Sequence, residues 1–173
     1  MGGYARDLYH GLTARDIDVC IWGADEKLML EINSALSYLD LCPANYSLPK
    51  NYGTERVARV IKTRCNVDLI FWGAQYKHWS DIIFDFDCNM SQYMLQPTHI
   101  GTQNPIFLGD SFGILTPNKG RITPVTTSML RMERMEEVAI NIEWVTSHEW
   151  TRTKATTKSI SQATPKCDPS DWN

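Results

Sequence analysis

The stretch GGYARDLYHGLTARDIDVCIW, residues 2–22, decides how this chain is read. A Gly-Gly pair opens it, a short amphipathic run follows, and Asp16-Ile17-Asp18 then leads into the apolar residues Val19 to Trp22. That composition predicts a strand over residues 16–22. On an extended chain, residues two apart lie about 6.5–7 Å apart on one side, so Asp16 and Asp18 share a face while Ile17 and Val19 are expected to point into the core. Like charges at that separation repel by about 2 kcal/mol at an effective dielectric of about 20. A divalent cation between them removes this penalty, and hard carboxylate oxygens suit Mg²⁺ or Mn²⁺.

A third acid, Asp68, stands in VDLIFW among apolar neighbours, with no residue of its own run to neutralise it. Such an acid is costly inside a sheet unless something compensates it. If its strand lies beside the Asp16 strand, three carboxylates converge in the arrangement that two-metal phosphoryl or nucleotidyl transfer requires. Gly2 and Gly3 carry no Cβ, so their backbone can come close to phosphate oxygens at the start of a helix. Asp-x-Asp alone is common in turns and caps. The joint pattern of glycine pair, helix, acid pair in a strand and later solitary acid is what points to chemistry.

Further along, apolar residues at spacings of three and four predict a helix from Asp25 to about Leu39, with Leu28, Ile32, Ala35, Leu36 and Leu39 on one face. A second is expected from about Ser128 to Ile142, with Met132, Met135, Val138, Ala139 and Ile142 as its core stripe and Thr127 or Ser128 as cap. Strands are expected at residues 57–62, 67–72, 82–86 and around 106–115. This mixture reads as an α+β chain, a mixed sheet flanked by helices. From residue 147 onward Thr, Ser and Lys dominate and the periodicity stops, so residues 147–173 are expected to be a polar, flexible tail.

These residues resemble the DNA polymerase β-type nucleotidyltransferase superfamily, and within it the head domain of bacterial-type CCA-adding enzymes and poly(A) polymerases. The family's GGxVRDxLLG…DxD signature has its counterpart in Gly2 to Gly11 and Asp16-Ile17-Asp18, its aromatic-Gly-Thr turn in Tyr52-Gly53-Thr54, and part of its RRDFTxNA element in Asp85, Phe86 and Asn89. The resemblance covers residues 2 to about 90 and implies a nucleotidyltransferase domain over residues 1–146. It implies a nucleoside monophosphate moved from an NTP to a hydroxyl of an RNA end, a protein side chain or a small molecule, with Mg²⁺ or Mn²⁺ bound by Asp16, Asp18 and Asp68 as the catalytic carboxylates. Gly2, Gly3, Arg6, Lys62, Arg64, Asp85 and Asn89 would then contact the nucleotide. The departures are as informative. Ile83 and Phe84 stand where the family has two arginines, so Arg6, Arg59, Lys62 or Arg64 would have to meet the phosphates. Pro124, Val125 and Ser128 stand where its base-reading motif would fall, and Arg131 and Arg134 are more simply read as partners of Glu133, Glu136 or Glu137. The family's strand before the glycines is represented here by Met1 alone, and its C-terminal tRNA-binding helices have no counterpart. A catalytically silent binding module of the same fold is therefore the competing reading, with phosphodiester hydrolysis as a third.

Length and charge set the outer bounds. At 173 residues with 43% hydrophobic residues the chain fits one globular domain, and a net charge of -3 argues against coating nucleic acid through bulk positive charge. Apolar runs fall far short of the roughly 20 residues that span a bilayer, so no membrane partner is expected. Cys20, Cys42, Cys65, Cys88 and Cys167 form no CxxC pair and read as free thiols of a reducing, cytoplasmic setting. Cys88 has no basic neighbour in sequence to make it a nucleophile. His10, His78, His99 and His148 lack zinc spacing.

Overall fold

A computed structural model of the chain describes residues 1–41, 56–98, 101–118 and 129–163. It is a mixed α+β arrangement. Helix α1 (Gly3–Tyr9) leads to strand β1 (Ile17–Ile21), helix α2 (Glu26–Tyr38), strands β2 (Val57–Lys62) and β3 (Val67–Trp72), and the short helix α3 (Trp79–Ile83). A 3₁₀ turn (Asn89–Ser91) then precedes the strands β4 (Tyr93–Pro97), β5 (Gln103–Phe107) and β6 (Ile114–Leu115). Helix α4 (Met129–Asn141), strand β7 (Val145–Thr146) and helix α5 (His148–Ala163) complete the described part.

The central sheet has the order β1-β3-β2, with β1 parallel and β2 antiparallel to β3. The β2–β3 hairpin turns through Asn66, whose φ of 60° is one that Asn tolerates better than most residues; across the turn Thr63 N–H donates to the Val67 carbonyl at 3.0 Å and Val67 N–H donates to Thr63 Oγ1 at 3.1 Å. Ile17 N–H donates to the Asn66 carbonyl at 2.9 Å, which pins β1 against β3 at this end. One sheet face carries Cys20, Ile70, Val60, Val57 and Trp72, and packs with Tyr76, Ile82, Phe86 and Met1 into one core cluster.

The expected inward Ile17 and Val19 are therefore corrected. They belong to the other face, where Ile17 is half-buried and Val19 exposed, while the acids' own face is the one that packs on this cluster.

A second core gathers Ala5, Met90, Tyr93 and Leu115 with Met132, Met135 and Ala139 of α4, then Ile142, Trp144 and Trp150. Of the stripe read for the second expected helix, Met132, Met135, Ala139 and Ile142 are buried, Ile142 just past the end of α4, and Val138 is half-buried against the same core. Its Thr127 or Ser128 cap lies outside the described residues, as do Tyr52-Gly53-Thr54, Pro124, Val125, His99, Cys42 and Cys167. The first expected helix forms with Asp25 as cap, its carboxylate accepting from Leu28 N–H at 2.7 Å, but Leu28 and Leu30 on its surface are exposed.

Three other expectations fail for physical reasons. Residues 82–86 are not a strand: Asp81 accepts from the His78 amide at 2.9 Å while the His78 ring faces the Ser80 amide, a capping box built from residues the usual Ser/Thr-to-Glu signature does not cover, and it starts α3. The apolar run near 106–115 is split into β5 and β6, and β5 pairs with β4, a strand that the interruptions Pro97 and Pro105 obscured. The split runs through Gly109, where a Cβ would stand 2.5 Å from the Phe107 ring and 2.7 Å from Gln92 Oε1. The polar segment after residue 147 begins as α5 rather than a tail. Trp150 is fully buried and donates to Glu136 of α4 at 3.0 Å, and Lys154 reaches the same carboxylate. One tryptophan in a mostly polar sixteen-residue helix gives no periodic signal, yet it anchors the helix together with Lys154.

Candidate metal centre

The parallel register sets Asp18 directly beside Asp68. Neighbouring strands run about 4.8 Å apart, so the two carboxylates emerge side by side on one sheet face. Asp16 is exposed and lies just ahead of β1, which begins at Ile17 rather than at the expected residue 16, and its charge acts on Asp18. The Asp18 carboxyl is held above the ordinary carboxylate range, first by burial and then by the charges of Asp16 and Asp68, against the opposing Met1 ammonium and Lys62. The acids thus feel one another, as residues from two strands must if they are to share a cation.

Lys62 is paired across the sheet with Asp68, and its Nζ lies 2.9 Å from Asp68 Oδ2. The hairpin register, symmetric about Cys65, is the signal that would have found this pair from sequence. Arg59 is opposite Phe71 and so belongs to the other sheet face. Arg64, on the turn, pairs with Asp40 at 2.7 Å.

The glycine pair adjoins the acids. Met1 donates to the Asp18 carbonyl at 3.2 Å and Gly2 donates to the Tyr93 carbonyl at 2.8 Å, so this stretch bridges β1 and β4. Gly2 has φ 76° and ψ −135°, a conformation essentially reserved for glycine. Its amide is committed to Tyr93, so its contribution to phosphate binding would be close approach of bare backbone rather than donation. Arg6 is buried and clasps Asp7 through Nε at 2.8 Å and Nη2 at 2.5 Å.

The remaining sequence-derived nucleotide contacts have structural partners. Asp85 is buried, accepts from the Tyr76 hydroxyl and lies 3.6 Å from Arg56 Nε. Asn89 donates to the Ser111 and Ile114 carbonyls at 2.9 and 2.8 Å and accepts from Thr116 N–H at 2.9 Å, so it ties the chain before β6 to the 3₁₀ turn. Arg131 takes Asp87 in two hydrogen bonds of 2.9 and 3.2 Å rather than a glutamate of its own helix. Cys88 is buried and its thiol is pushed up to about 12, first by burial and then by Asp87, which suits packing and not nucleophilic attack. The His10 ring lies 3.0 Å from the Tyr93 hydroxyl and stacks on Phe112.

The donor chemistry of Asp16, Asp18 and Asp68 fits a hard divalent cation. As the side chains stand, no three of them close on a common point among the described residues, and the Lys62 ammonium is the cation at Asp68. No described helix is long and apolar enough to cross a membrane. Comparison with protein-family models, with curated proteins and with solved structures returns no match to this chain.

Proposed function

We propose that the acid-bearing end of the central sheet is a divalent-cation-dependent nucleotidyl-transfer site and that the sheet with its flanking helices is a nucleotidyltransferase fold. The observation that carries the reading is the register of Asp18 with Asp68, to which the raised Asp18 carboxyl adds support, lifted first by burial and then by Asp16 and Asp68. Asp16, Asp18 and Asp68 would hold Mg²⁺ or Mn²⁺, which when bound supplies charge for the triphosphate and acidity for an attacking hydroxyl. The chain's own part is to present Asp18 and Asp68 from neighbouring strands, with Asp16 just ahead of β1, and to bring backbone without side chains, at Gly2 and Gly3, up to the same end. Lys62 adds a half-exposed cation beside them. The acceptor would be a hydroxyl of an RNA end, a protein or a small molecule.

The test is incubation of the purified chain with each labelled NTP, Mg²⁺ or Mn²⁺ and a cell extract. Label transferred with release of pyrophosphate, lost in Asp18→Asn, is the expected result. Phosphate diester cleavage without pyrophosphate would assign the site to hydrolysis instead.

One set of observations favours a silent binding module: Arg6, Arg64, Asp85 and Asn89 all have partners within the fold. The readings separate on thermal stabilisation by NTP with Mg²⁺. A nucleotide shift that survives both Asp16→Asn and Asp18→Asn belongs to the silent module.

A further inference from the structure

We infer that Lys62 is a resident counter-ion that holds Asp68 while the site is free of metal and must be displaced by the divalent cation, so that this lysine sets how much metal the site demands. The inference rests on the nucleotidyl-transfer reading and deepens it.

Position is the first argument. Lys62 and Asp68 are opposed across an antiparallel pair, so strand backbone on both sides fixes the pairing, and Nζ stands 2.9 Å from Oδ2. Of the basic residues of the β2–β3 hairpin, Arg59 belongs to the other face and Arg64 is drawn to Asp40, which leaves Lys62 as the hairpin cation on the acids' side. Charge is the second. Asp68 is largely covered and stands next to Asp18, so without a cation it would be a poorly solvated carboxylate against a like charge. Lys62 relieves that, but with a single charge. A divalent ion carries twice that charge and takes several oxygen ligands, so it can draw on more than one carboxylate at once. Mobility is the third. About half of the Lys62 side chain is exposed, its stem is flexible, and ion pairs of this exposure are weak, so the ammonium can give way without disturbing the sheet.

The experiment titrates the full-length chain with Mn²⁺ alone, without nucleotide and at low salt, counting free ion by electron paramagnetic resonance. Lys62→Met and Lys62→Gln are expected to bind Mn²⁺ about fivefold more tightly than wild type, the factor that removing one competing part-exposed ion pair represents. Lys62→Arg should stay near wild type, and Arg64→Met, which removes the same charge from the same hairpin, should change affinity less than twofold. Circular dichroism verifies folding, and two neutral variants of different polarity guard against loss of one. Unchanged or weaker binding in both neutral variants overturns the counter-ion role while leaving the nucleotidyl-transfer reading in place. Equal tightening in Arg64→Met also overturns it, since a diffuse field would then suffice. No Mn²⁺ binding by wild type or any variant overturns both.

Discussion

Around α4, acids and bases meet in matched sets: Arg131 clasps Asp87, and Glu136 receives both the Trp150 indole and the Lys154 ammonium. At the end of the central sheet Asp18 and Asp68 stand side by side with Asp16 and Lys62 close by, and the Asp18 carboxyl is lifted first by burial and then by its acidic neighbours. The first region uses charge to fix one element against another. The second accumulates charge of one sign at a place where folding gains nothing from it. Lys62 offsets part of that surplus, and what remains weakens the metal-free protein until a cation binds, which is the physical difference between an architectural ion pair and a candidate site.

The largest expected effect breaks the matched region. Trp150→Ala empties a fully buried site between α4 and α5 and should cost about 3–5 kcal/mol in denaturant unfolding. Mn²⁺ affinity per folded molecule should not change; if it does, the two regions are not separable. Asn89→Ala comes next, since it removes three hydrogen bonds and leaves part-buried backbone groups in and around β6 without those partners. A loss of about 2 kcal/mol is expected, read as a lower urea midpoint.

Asp18→Asn should act in the opposite direction on stability. Because the folded Asp18 carboxyl holds its proton more tightly than the unfolded one, the metal-free wild type loses stability as pH rises from about 3.8 through the raised folded value. The asparagine lacks that component, so at pH 7 it should be more stable than the metal-free wild type, and its melting temperature should depend less on pH across this window. A destabilised Asp18→Asn at neutral pH would contradict the view that the sheet end carries surplus charge. The smallest effect is assigned to Arg64→Met, whose pair with Asp40 is exposed on both sides and should change stability by less than about 0.5 kcal/mol in a chemical melt.

Much of the sheet end was legible in the sequence because strand period is local. The runs at 57–62 and 67–72 became β2 and β3 with unchanged bounds, and the spacing of Asp16, Asp18 and Asp68 already implied a shared face if the strands were neighbours. What sequence could not give was the parallel pairing that puts Asp18 beside Asp68, or which sheet face the core would choose. Val19 shows the limit: alternation said which residues share its side, but the contacts that decide burial come from Tyr76, Ile82 and Phe86, more than fifty residues away. The capping of α3 by His78 and Asp81, the β4–β5 hairpin through two prolines and the anchoring of α5 by Trp150 and Lys154 were hidden for another reason, since each depends on particular contacts rather than on a repeated pattern.

The absent methyl group at Gly109 has a reach larger than its size. Phe107, which it would strike, is itself in ring contact with Tyr93, Phe112 and Trp144, and Tyr93 carries the backbone carbonyl that receives Gly2. A single added carbon there would push on a train of aromatic plates that ends at the bridge between β1 and β4, so a loop remote in sequence from the aspartates holds mechanical leverage over them.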